Sequence, residues 1–106
     1  MPNYETAREK IDTIEAEIKR LGLWSSEPLP AEAYNFTSAF AMGTMPFARW
    51  LQFIFIPRVR ELIATEDAFP RRSQVGAQAV REFGGLYEAN GLVGLLNDFD
   101  DFIEHG

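Results

Sequence analysis

Four serines, one histidine and no cysteine are the chain's stock for nucleophilic or general-base chemistry. Ser25, Ser26, Ser38 and Ser73 could each attack an electrophile, but an activated hydroxyl needs a base beside it. The histidine is His105, one residue from the C-terminus, a position that usually frays, so a catalytic or metal role for it is improbable. Without cysteine, a thiol nucleophile, thiolate metal sites and disulfide staples are excluded. A transition metal would have to accept an almost all-oxygen site. Asp98, Asp100 and Asp101 come nearest to a hard-cation cluster, but they lack the glycine and closing glutamate of a calcium loop. On a helix, 98 and 101 are neighbours while 100 points elsewhere, so a solvated acidic face is expected. Gly84, Gly85, Gly91 and Gly94 match neither a dinucleotide fingerprint nor a phosphate loop. The inventory therefore predicts no catalytic residues, no cofactor and no metal, and a protein that is not an enzyme.

The chemistry that remains is recognition, and it sits on one helix-length segment. Residues 44–63, TMPFARWLQFIFIPRVRELI, place eleven large apolar side chains in twenty positions. Thr44 is suited to cap the helix, and Pro46 is tolerated near its first turn. Trp50, Leu51, Phe53, Ile54, Phe55 and Leu62 cover more than half the circumference, which predicts the buried centre of a bundle. A narrower stripe, Arg49, Gln52, Ile56 and Arg60, is expected to meet water or a partner. Pro57 cannot donate to the carbonyl of Phe53 and crowds it, which predicts a kink or a break there.

Other elements must hold that helix. Tyr4, Ala7, Ile11, Ile14, Ile18 and Leu21 alternate spacings of three and four, which predicts an amphipathic helix from about residue 3 to 21. Asn3 can cap it, Glu15–Lys19 is a favourable pair, and Gly22 can terminate it. The same spacing would also suit a dimer seam. Residues 22–30, GLWSSEPLP, form a connector whose Leu23, Trp24 and Leu29 are expected to lie over the bundle end. A short helix could start at Pro30. Residues 64–74 read as a loop punctuated by Pro70, with Ser73 placed to cap a third helix at roughly 74–83. Gly84 and Gly85 would stop that helix. A last helix, from about Asn90 to Glu104, has Leu92, Val93, Leu95, Leu96, Phe99, Phe102 and Ile103 on its apolar face. Asp98, Asp100, Asp101 and Glu104 are expected to face away. No segment alternates with period two for long. The expected fold is all-α: one domain over residues 1–106, a compact four-helix bundle with a largely buried, proline-interrupted central helix.

Composition narrows the partners. Net charge is −6, unevenly spread. Residues 44–81 carry six arginines against three acidic groups, whereas residues 82–106 carry six acidic groups and no Lys or Arg. This asymmetry predicts that the middle and the tail pack as mutually attractive faces; the alternative is a docking surface for a charged partner. Overall acidity argues against nucleic-acid binding by the chain alone. No apolar run reaches the length of a membrane span, and MPNYETAREK has no apolar core of a signal peptide, so a cytoplasmic protein is expected.

The block PFARWLQFIFIPRVRELI, residues 46–63, resembles the signature of the YqcC-like family of small bacterial proteins. The amphipathic first helix, the Leu21-Gly22-Leu23-Trp24 connector, Phe69-Pro70 and the Leu-rich last helix fit the same pattern, so the likeness spans nearly the whole chain. It implies a compact four-helix bundle and carries over no catalytic residue. Some members lie beside, or are fused to, a tRNA pseudouridine synthase, which implies an accessory role in RNA modification. Within the block, Arg49, Trp50, Gln52, Pro57 and Arg58 would mark a shared surface. The expected function is thus a non-catalytic interaction module, a monomer or weak homodimer. Its partner surface would comprise Arg49, Gln52, Ile56, Arg58 and Arg60, and its partner would be a protein such as a tRNA pseudouridine synthase. The alternative is a small-molecule-binding bundle or an unrecognised enzyme.

Overall fold

The computed structural model describes residues 3–105 and contains four α-helices: α1 (Tyr4–Arg20), α2 (47–65), α3 (Val75–Phe83) and α4 (Asn90–His105). Among the described residues there is no strand. Met1 and Pro2, part of the stretch read as lacking a signal peptide, and Gly106 lie outside the described residues. Among the described residues no helix is long and apolar enough to cross a membrane.

α1 is built as its spacing predicts. The Asn3 side chain accepts the Thr6 N–H at 3.0 Å, filling one of the free amides of the first turn. Gly22 ends the helix at φ +74°, where its N–H donates to Lys19 and the Leu23 N–H reaches back to Ile18. Ala7, Ile11, Ile14 and Ile18 are fully buried. α2 and α4 pack against α1, so the stripe that could have been a dimer seam is used inside the bundle. Of the connector's apolar residues, Trp24 packs on the core, with Lys19 Nζ 4.9 Å from its ring centre. Leu23 instead stays 38% exposed.

α2 departs from expectation at both of its prolines. Residues 41–45 form a tight turn, with the Thr44 N–H donating to Ala41, so Thr44 caps nothing. The residue before a proline is pushed out of the α region; Pro46 itself is extended, and the helix starts at Phe47. At Pro57 the helix does not break. Residues Leu51–Phe55 widen into a π turn, and the Ile56 N–H bonds the carbonyl of Leu51, five residues back. The wider turn accommodates the proline ring, and the helix continues as Ile56–Thr65. It ends with Glu66 in the left-handed region (φ 54°), the Asp67 N–H closing onto Leu62. Pro30 precedes only one 3-10 turn, Ala31–Tyr34; a second, Ala39–Ala41, presents Phe40 edge-on to Phe47 and Trp50.

α4 packs on both α1 and α3. Leu92, Leu96 and Phe99 are its buried residues, and Phe99 meets Phe55 of α2 edge-on at 5.3 Å. α3 and α4 approach through backbone: a Cβ on Gly76 would lie 2.7 Å from the Cα of Asn97. The cap of α3 comes from α4 rather than from Ser73. Asp100 accepts the Val75 N–H at 3.1 Å and the Gly76 N–H at 2.8 Å, and the Ser73 hydroxyl also donates to it. Asp100 therefore does not face away with its acidic neighbours. The charge pattern is resolved differently from expectation too. Arg60 of α2 pairs with Asp12 and Glu15 of α1, each at 2.9 Å, and Lys10 pairs with Asp98 at 2.6 Å. Among the described residues no ion pair joins the Arg-rich middle to the acidic tail; both use α1, whose polar flanks lie between them.

Candidate functional site

The stripe Arg49, Gln52, Ile56 and Arg60 does not form a solvent-facing surface. Gln52 is only 7% exposed and Ile56 2%. The Gln52 amide pairs with the backbone of Ser25 in both directions: its Oε1 accepts the Ser25 N–H at 2.7 Å and its Nε2 donates to the Ser25 carbonyl at 2.8 Å. It fastens the connector to α2. Arg60 is held by its two α1 carboxylates. The stripe is covered from outside the helix: the connector lies on Gln52 and α1 on Arg60, while the π turn shifts the phase of the residues that follow it away from an ideal 100° step. Glu15 sits at the centre of this contact. The hydrogen bond from Lys19, joined by that from Arg60 and opposed by burial, holds its carboxyl below the usual value. Arg58 is exposed and Arg49 half-buried, leaving these two of the five expected surface residues accessible without an ion pair among the described residues.

The opposite side of α2 carries a feature that sequence reading does not find. Residues expected in the core, Trp50, Ile54 and Leu62, are only half-buried. They form one wall of a groove of about 550 Å³. Phe99 and Ile103 of α4 form the second wall, and Phe69, Pro70 and Arg72 of the 66–74 loop form the third. Arg58 also lines it, one helical turn from Ile54 and from Leu62. The wall is stiffened by aromatic stacking of Trp50 on Phe47 (5.8 Å) and on Phe55 (5.7 Å). The loop wall is tied to the start of α1. The Tyr4 hydroxyl donates to the carbonyls of Glu66 and Asp67, at 2.7 and 2.9 Å, and its ring lies 5.4 Å from that of Phe69. The available signal was the i, i+4, i+8 repeat Ile54–Arg58–Leu62 and the run Phe69-Pro70-Arg71-Arg72; both are visible, but only folding brings them together.

Among the candidate nucleophiles, Ser25 is occupied by Gln52 and its hydroxyl donates to the Glu27 carbonyl. Ser73 serves Asp100, and Ser38 donates to the Met42 carbonyl. His105 is exposed beside Glu104, 3.8 Å away. Burial pushes the Asp100 carboxyl above its ordinary value, against the lowering by its bonds from Ser73, Gly76 and Val75. Among the described residues no hydrogen bond joins a serine to His105, and Asp98 and Asp100 have separate partners.

Comparisons with known proteins converge on one group. A model of the family DUF446, described as tRNA pseudouridine synthase C, matches residues 6–102. An uncharacterised protein of Haemophilus influenzae is 29% identical over 84 residues, 76% of this chain and 79% of that one. The uncharacterised protein YqcC of Escherichia coli is 27% identical over 70 residues, 66% of this chain and 64% of its own length. The tRNA pseudouridine synthase C of Pectobacterium carotovorum is 34% identical over 71 residues, 67% of this chain but 19% of the synthase. The solution NMR structure of E. coli YqcC matches with a TM-score of 0.85 at 22% identity, over 99% of this chain and 91% of that one, which is a likeness of fold.

Proposed function

The chain belongs to the DUF446 family, and on that premise we propose that it is a non-catalytic accessory module that acts by contact with a tRNA pseudouridine synthase. One observation carries the reading. A sequence like most of this chain occupies 19% of a much longer protein named tRNA pseudouridine synthase C. A domain found within an enzyme's chain in one organism, and as a chain of about its own size in others, is a natural subunit when separate. The net charge of −6 fits a module that leaves the grip on tRNA phosphates to its partner. The groove of about 550 Å³ favours a second reading, a bundle that holds a small molecule, since it lies in the range of ligand pockets.

The test is reconstitution with the tRNA pseudouridine synthase of the same cell. Mixed at micromolar concentration, the two should elute together at fixed stoichiometry in size-exclusion chromatography. Pseudouridine in tRNA, read by mass spectrometry, should form with the synthase present and not with this chain alone. Separate elution, or pseudouridine formed by the chain alone, would overturn the proposal.

A further inference from the structure

We propose that the groove between α2, α4 and the 66–74 loop docks a partner's peptide segment whose apolar side chains are flanked by carboxylates. The identity of that partner rests on the accessory reading above; the chemistry of the segment rests on the groove. The argument begins with the cations. The chain has ten Lys and Arg against sixteen Asp and Glu, so carboxylates are in excess. Arg8, Lys10, Lys19 and Arg20 each pair with one, and Arg60 pairs with two. Among the described residues the other five, all arginines, have no carboxylate within 4 Å, and two of these five, Arg58 and Arg72, line the groove. Both are exposed. Between them runs an apolar floor with Ile54, Leu62 and Ile103 left half-buried.

An occupant must match both features. Apolar side chains would complete the burial of Ile54, Leu62 and Ile103. Carboxylates beside them would meet two guanidinium forks, whose planar geometry suits bidentate pairing. Next to an apolar wall such pairs are less screened than on open surface. A neutral apolar segment would leave the arginines unanswered, and a basic one would be repelled. The groove is open to solvent and walled by a helix on two sides, the geometry in which side chains from a passing amphipathic helix insert.

The groove can be tested without knowing the partner. Two synthetic amphipathic peptides share leucines at i, i+4 and i+7; one carries glutamate at the flanking positions and the other lysine. Binding to the full chain is followed by methyl NMR. The glutamate peptide should shift the methyls of Ile54, Leu62 and Ile103 and bind about tenfold more tightly than the lysine peptide. R58E/R72E should reverse that preference, while R81E, outside the groove, should leave it. Equal binding of the two peptides, or shifts elsewhere, would overturn the proposal. Dodecanoate seating there more tightly than the peptide would overturn it in favour of a small amphiphile. Self-association abolished by R58E/R72E would overturn it in favour of a second copy. The two readings fail separately. A synthase complex indifferent to R58E/R72E overturns the groove alone, whereas peptide selectivity without any synthase complex overturns the accessory role alone.

Discussion

Asp100 shows how much one side chain can do from a neighbouring helix. Its two oxygens take the first free amides of α3 and the Ser73 hydroxyl, so α3 is capped only when α4 is docked. Removing a capping oxygen typically costs about 0.5–2 kcal/mol, and Asp100→Ala is expected near 2 kcal/mol because two amides and a hydroxyl lose their acceptor together. Asp100→Asn should recover part of this, since one oxygen remains, while Ser73→Ala should cost less than either. Urea unfolding monitored by circular dichroism checks the order. The sequence made Ser73 the obvious cap because it stands just before the helix; a cap that comes from 25 residues away leaves no local trace. The caps that are local, Asn3 and Gly22, were legible for the same reason.

At the level of elements, α2 was legible in extent and apolarity but not in phase. Its π turn is forced by Pro57, and every residue beyond it is rotated from its place on an ideal helix. Gln52, at the start of that turn, is buried because the connector folds over it, not because its phase has shifted. Its paired bonds to Ser25, beside Trp24 packed on the core, hold residues 22–30 on the bundle, in a segment whose two prolines and two serines give it no helix or strand of its own. Gln52→Ala should destabilise the fold by about 1–3 kcal/mol, the cost of stranding two partly buried backbone groups. Amide exchange should rise across the connector, with α3 and α4 protected as before. Uniform loss of protection, or none in the connector, would show that the amide pair does not hold it.

For the whole molecule, α1 is the element to which both charge classes report. The Glu15 carboxyl joins it to α2 through Arg60, and Lys10 joins it to α4 through Asp98. Glu15 is held below its ordinary value chiefly by the Lys19 bond, so the folded state binds its proton less readily than the unfolded chain. Its contribution is then complete above the ordinary carboxylate value of about 4 and is lost as pH falls through the lower, folded value. Melting temperature should fall between about pH 5 and about pH 3, and fall less steeply in Glu15→Gln; parallel profiles would remove Glu15 from the account. The fold as a whole was readable because the apolar faces of the first and last helices and the mostly apolar central helix leave little choice but a bundle. The groove was not, because two of its walls are helix faces whose apolar residues read as core and the third is a segment that read as a loop.

The groove's third wall is a loop, and one of its tethers is Tyr4, more than sixty residues earlier in the chain. Among the described residues none of α1 lines the groove, yet that hydroxyl holds the start of the loop that walls it. Linkage then makes binding and helix fraying reciprocal for any occupant that needs the loop in place: it tightens the first turn of α1 by the same factor by which a loosened first turn weakens it.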